Sequence, residues 1–315
     1  MDTDQRLDAL VAPLRADVVS GASVIGKMAA EVLRLAAQDA RAVSLEEFRS
    51  ELGEVCGKVL DAQPAMATLV TLVGDLLTSV EASEDLETGR LAAVRTAEAF
   101  GSGLESRAES VATRASALIP SGATVATISY SSTVLATLTH EGTWAVGQVI
   151  CFESRPMREG ETLATALAEV GVAVTFAVDA AASTLMGECD IVLLGADSIG
   201  DLGVVNKIGS AGLVDAAIRR GVPVMVVSDE TKILPIGFPQ HLTDDRPPEE
   251  VWRAPAGVRV WNQYFESFEL ERVTMVVTES DALTAPEVEK LRKDIVLPTG
   301  LLAWADARAP GPPEV

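Results

Sequence analysis

Residues 191–213 read IVLLGADSIGDLGVVNKIGSAGL, and this stretch decides the fold. Ile191, Val192, Leu193 and Leu194 form a short apolar run closed by Gly195, the pattern of a strand buried on both faces beneath flanking helices. Asp197 then lies just past a strand's carboxyl end, where the loops of an open parallel sheet converge on one crevice. Asn206 and Lys207 follow, ahead of a helix read over 210–220 whose amide end suits an anion. A carboxylate, an amide, an ammonium and a helix amino terminus can meet there around one small polar ligand. The plainer reading makes Asp197 a turn or helix cap and Lys207 a solvated surface charge.

Outward from this stretch the chain alternates. Strands are read over 124–129, 145–152, 173–178, 191–195, 223–228 and 274–278, with helices over 133–138, 161–170, 181–186 and 210–220. Such alternation implies right-handed crossovers and a mostly parallel sheet covered on both sides. Upstream, apolar residues recur at helical spacing: Leu7, Leu10, Val11 and Leu14, then Val24, Ile25, Met28, Ala29, Val32 and Leu33, then Phe48, Leu52, Val55, Cys56 and Val59. A fourth helix starts near Pro64 and runs to about Ser79. A fifth opens on Ser83 with Glu84 and Asp85, two acids that match the positive end of a helix dipole, and reaches Leu118. Pro120, Ser121 and Gly122 break the pattern. The expected class is therefore α/β, a helical bundle over 1–119 followed by a mostly parallel sheet domain over 120–315, with a Pro-rich extended loop at 232–257.

Composition narrows the chemistry. With 315 residues, 48% of them hydrophobic, the chain can bury a full core and is not globally disordered. A formal charge of −21, with 6 Lys and 19 Arg against 46 acids, supplies no basic stripe and argues against general nucleic-acid binding. No apolar run reaches the length of a membrane span, and residues 1–18 contain no apolar signal core. Cys56, Cys151 and Cys189 are odd in number and widely spaced, which implies reduced thiols, a cytoplasmic setting and no zinc framework. With only His140 and His241 besides, neither a metal site nor a cofactor is expected.

Three loops leave neighbouring strand ends in this reading. Ser129, Tyr130, Ser131, Ser132 and Thr133 form a hydroxyl-rich turn suited to phosphate, or simply an N-cap at Ser131 or Ser132. The segment 153–160, ESRPMREG, offers Arg155 and Arg158 as bidentate anion grips, or as surface partners of Glu153 and Glu159. The third is the Asp197–Lys207 loop. Asp179, at the end of its strand, is a fourth candidate or a cap for the Ala-rich helix that follows it.

Taken together, SYSSTVL, FESRPMREG, VDAAA, GADSI, NKIGS, NQYFE and VTESDALT resemble the translation initiation factor 2B alpha, beta and delta subunit family, which includes ribose-1,5-bisphosphate isomerase and methylthioribose-1-phosphate isomerase. VSGASVIGKMAAEVL, from Val19, is similar to the family's amino-terminal glycine segment, and 122–301 to its Rossmann-type domain. The resemblance implies a cytoplasmic protein that forms homo-oligomers, dimers or larger, and has possible protein partners. Its pocket would hold a sugar phosphate or nucleoside monophosphate through Gly21, Ala22, Tyr130, Ser131, Ser132, Arg155, Asn206 and Lys207. Asp197 matches the catalytic aspartate, while the catalytic cysteine of the isomerases falls on Ser129. Arginines of the isomerases fall on Ser20 and Gln63, which implies a smaller or less charged ligand. Cys151 is either a replacement thiol or a small buried hydrophobe.

These departures favour a noncatalytic or regulatory member with a sugar phosphate or nucleotide pocket. The alternative is an aldose–ketose isomerase acting on a ribose phosphate through Asp197, with Ser129 as a weaker partner because a hydroxyl is far less acidic than a thiol. A nicotinamide enzyme is disfavoured, since no GxGxxG follows a strand.

Overall fold

A computed structural model of the chain describes residues 3–17, 20–140, 146–242 and 246–307. The amino-terminal part is helical: α1 Thr3–Ala16, α2 Ala22–Asp39, α3 Leu45–Ala62, α4 Ala67–Glu81 and α5 Leu86–Ser116. Then come β1 Ala123–Ile128, α6 Ser132–Thr139, β2 Val146–Phe152, α7 Gly160–Glu169, β3 Val174–Ala177, the short α8 Ala182–Leu185 and β4 Ile191–Leu194. They continue with β5 Ser198–Gly200, β6 Gly203–Lys207, α9 Ser210–Arg220, β7 Val224–Val227 and β8 Phe265–Phe268. The chain ends through β9 Met275–Val277, β10 Ala282–Leu283, α10 Ala285–Asp294 and α11 Thr299–Asp306.

By internal contacts the chain groups into two compact units. One is Met1–Ser106 with Thr231–His241 and Arg292–Val315, the other Arg107–Glu230 with Leu242–Leu291. A division at residues 119 and 120 follows chain order, whereas this grouping follows packing and gathers two segments of the carboxyl-terminal third into the first unit.

In the first unit the apolar spacing of α2 becomes a buried face of Ile25, Ala29, Leu33, Ala36 and Ala37. Ser44 caps α3 by accepting from the Glu47 amide at 3.2 Å, and Asp85 accepts from the Thr88 amide at 2.8 Å where α5 begins. The acids at 84 and 85 therefore precede the fifth helix rather than form its first turn. Ala30 of α2 and Gly101 of α5 lie so close that a Cβ on Gly101 would stand 3.3 Å from that of Ala30. Small residues set this helix spacing. Within the apolar segment 295–304, Leu301 is buried while Val296 is exposed, so only part of it joins the core.

The second unit is built on a seven-stranded sheet in the order β10-β9-β7-β4-β1-β2-β3, parallel throughout except for β10 against β9. The order runs both ways from β1, so a crevice opens where β1 and β4 diverge, at the switch point of an α/β sheet. One face of the sheet buries Val125, Val149, Cys151, Leu193, Met225 and Val227 against Val111, Ala115, Val134, Leu138, Leu163 and Leu167. At roughly 25 cal/mol per Å² of apolar surface removed from water, such side chains supply most of the favourable folding free energy.

Two sequence expectations change here. The Asp197–Lys207 segment is not a loop but a hairpin: β5 pairs antiparallel with β6, and β6 with β8, in a separate three-stranded sheet. The alternation that would have marked it is short, and the strand that completes it lies far along the chain. The strand expected from residue 145 is described from Val146, and Ala145, like Val19, lies outside the described residues. Short 3₁₀ turns at Glu230–Lys232 and Pro248–Glu250 interrupt the otherwise irregular path of the described residues in 228–242 and 246–264. Among the described residues no helix is long and apolar enough to cross a membrane.

Candidate functional site

The site is assembled by loops at the carboxyl ends of β4, β1 and β2, three adjacent parallel strands. Ser129, the residue just after β1, has φ of 67° and is buried. Tyr130 after it is exposed, and Ser132 is the first residue of α6. The Ser131 side chain accepts from the Val134 amide at 3.3 Å, so Ser131 is an N-cap. It also faces the β4 loop, since a Cβ on Gly195 would lie 2.8 Å from the Ser131 hydroxyl. Only glycine permits the loops after β1 and β4 to approach this closely.

The loop after β2 is shaped by Asp179, which does not cap its own helix. Its two carboxylate oxygens accept from the backbone amides of Ser154 at 2.7 Å and Arg155 at 2.8 Å. The Arg158 amide donates to the Ser154 carbonyl at 2.8 Å and the Gly160 amide to the Glu153 carbonyl at 3.2 Å, which closes the loop on itself. The two arginines then separate in role. Arg158 pairs with Glu161 and lies 3.8 Å from Glu153, whereas Arg155 is exposed and donates to the Val251 carbonyl at 3.2 Å.

Asp197 is half-buried, its amide donating to the Val205 carbonyl at 2.9 Å across the hairpin. Asn206 and Lys207 lie on β6 and are both buried. The Asn206 side-chain amide donates to the Ser210 hydroxyl at 3.0 Å, which in turn donates to the Lys207 carbonyl at 2.6 Å. Lys207 is not a solvated charge: it pairs with Glu159, and its ammonium lies 4.4 Å from the centre of the Tyr264 ring. Glu159 comes from the loop after β2, so this pair joins the second loop to the hairpin.

The amide end of α9 is already occupied. Glu266 Oε1 accepts from the amides of Gly209 and Ala211, each at 2.8 Å. Burial raises the Glu266 carboxyl above its ordinary value, with the two amide bonds pulling the other way. A carboxyl raised in this way favours the folded state while protonated, and that contribution fades as pH climbs through its folded value. The Glu266→Gln variant is therefore expected to gain melting temperature relative to the natural protein as pH rises above the ordinary carboxylate value of about 4.3. Thermal melts across that range check it, and a constant difference would contradict the burial.

Sequence reasoning missed Glu266, Tyr264 and Asn262 as individuals. Tyr264 donates its hydroxyl to Glu250 at 2.7 Å, and the Asn262 amide reaches the same carboxylate at 2.8 Å. Burial first, then the Glu250 hydrogen bond, pushes the Tyr264 hydroxyl well above its usual range. Their spacing at 262, 264 and 266, every second residue of NQYFE, is the strand signal that could have placed them on one face. Cys151 settles as a buried member of the sheet core, its thiol pushed up to about 12 by burial, which removes it as a replacement thiol. In the first unit Gly21 is the exposed N-cap of α2, its carbonyl accepting from Val24 and Ile25, while Ala22 is buried. Among the described residues no group of three or more His, Cys, Asp or Glu is placed to hold a metal ion.

The sequence matches the profile of the Initiation factor 2 subunit family over residues 18–285. The chain belongs to that family. Within it, the chain is 31% identical over 230 residues to ribose 1,5-bisphosphate isomerase of Haloferax volcanii, covering 72% of this chain and 70% of that protein. It is 30% identical over 302 residues to methylthioribose-1-phosphate isomerase of Pelotomaculum thermopropionicum, covering 88% and 82%. Among solved structures, the Pyrococcus horikoshii OT3 translation initiation factor eIF-2B superposes with a TM-score of 0.77 at 25% identity, covering 90% of this chain and 98% of that one. An initiation factor 2 subunit family fold thus underlies relatives named both as sugar-phosphate isomerases and as initiation factors.

Proposed function

We propose that this family member is an aldose–ketose isomerase acting on a phosphorylated ribose, the reading that the named relatives support better than a regulatory role. The observation that carries it is the presentation of a hydroxyl, a guanidinium and a carboxylate, from Ser129, Arg155 and Asp197, on loops of three adjacent strands. In such a reaction the carbonyl level moves from C1 to C2. One hydrogen leaves C2 and one arrives at C1, while the oxygens exchange a proton. Asp197 is the proton carrier in this proposal, and Ser129 donates a hydrogen bond to the oxygen that gains negative charge. Arg155 grips phosphate in bidentate fashion, and Asn206 and Lys207 steady the ring. Folding domains at 1–119 and 120–315, a cytoplasmic setting and a homo-oligomeric assembly belong to the same proposal.

A second reading, a noncatalytic pocket of the initiation-factor type, draws on Ser129 in place of a thiol. Replacing Ser129 by cysteine is expected to raise turnover by about tenfold or more, because a thiol is far more acidic than a hydroxyl in the same setting. Steady-state kinetics of the variant check this. The proposal itself is tested by incubating the protein with ribose 1-phosphate, methylthioribose 1-phosphate and ribose 1,5-bisphosphate and following ketose by NMR. Conversion of one of them supports isomerisation. Saturable binding without conversion favours the second reading, and no binding contradicts both.

A further inference from the structure

We infer that the site selects a sugar carrying one phosphate and disfavours a second anionic group, with Glu159 setting the preference; the inference rests on the function proposed above. Of the cations on the loops after β2 and β4, Arg155 is the one that no carboxylate neutralises among the described residues. Arg158 is committed to Glu153 and Glu161, and Lys207, 5% exposed, to Glu159. Arg246 lies against the face of Tyr264, 4.7 Å from the ring centre. The amide end of α9, the other anion-binding element of this edge, is filled by Glu266.

Glu159 is more than a counter-ion. One of its oxygens holds Lys207, and the other, Oε2, is buried with no hydrogen-bond partner. The pair leaves Lys207 without a free charge, so Glu159 withholds the lysine that could otherwise have held a second phosphate.

Isothermal titration of ribose 1-phosphate and ribose 1,5-bisphosphate into the natural protein and Glu159→Gln and Glu161→Gln variants tests this. The natural protein is expected to bind the monophosphate about tenfold or more tightly than the bisphosphate, since a second phosphate meets only cations already paired with carboxylates on these loops. In Glu159→Gln the ratio is expected to shrink by about tenfold, chiefly through tighter bisphosphate binding, as the amide donates and Lys207 is released. Glu161→Gln removes a charge from the neighbouring exposed partner of Arg158 and is expected to leave the ratio unchanged. Thermal melts establish that each variant folds, and if Glu159→Gln does not, Glu159→Ala takes its place and the natural protein's own ratio decides the substrate class. Equal or tighter bisphosphate binding by the natural protein, or an unchanged ratio in the Glu159 variant, overturns the inference and leaves the isomerase reading intact. Failure of both ligands to bind overturns the isomerase reading as well.

Discussion

Replacing Asp197 by asparagine is expected to cut ketose formation by about 100- to 10,000-fold, the span over which a positioned proton-transfer group contributes to turnover. The amide keeps the size and planar shape of the carboxylate, so the half-buried position after β4 stays filled and the backbone bond to Val205 is untouched. What is lost is the ability to take up a proton and return it. Binding of a sugar phosphate should therefore change little while turnover collapses, the pattern of an interaction made in the transition state and not in the ground state. Initial rates beside calorimetric binding constants separate the two. Equal losses in binding and turnover would make Asp197 a positioning or structural residue.

The Gly160→Ala variant carries the second large effect, on stability. A Cβ at this position would stand 2.0 Å from the Phe152 carbonyl oxygen and 3.0 Å from its carbon, both backbone atoms of β2 that cannot swing aside. The loop from Glu153 to Gly160 would have to open, which breaks the 3.2 Å bond from the Gly160 amide to the Glu153 carbonyl and moves the neighbouring Glu159 away from Lys207. Leaving Lys207 buried without its carboxylate adds to the steric cost. A loss of about 3 kcal/mol or more is expected in urea unfolding, with an unchanged dependence on denaturant if the native state stays compact. A loss under about 1 kcal/mol would mean that the loop adapts cheaply.

How much of this was legible in the chain differs from element to element. The run Ile191 to Leu194 announced a doubly buried strand because all four residues are apolar, and the structure buries all four. The hydroxyl-rich and arginine-rich turns were visible because strand ends in an α/β chain are marked by abrupt changes from apolar to polar residues. The β5–β6 hairpin was hidden because its third strand, β8, pairs from far along the chain. The burial of Lys207 was hidden for the same reason: its partner Glu159 lies 48 residues upstream, and nothing local distinguishes a paired lysine from a solvated one. Ser131 shows the converse. Its composition suggested either a phosphate contact or a cap, and the cap is visible in local geometry through the Val134 amide.

The central claim is that Ser129, Arg155 and Asp197 act on one bound sugar phosphate. A crystal structure of the Asp197→Asn variant with ribose 1-phosphate tests it most directly. The account predicts the phosphate on the Arg155 guanidinium, with C1 and C2 lying between the Ser129 hydroxyl and the side chain at position 197. A ligand bound away from these three residues, or touching only one of them, would contradict it.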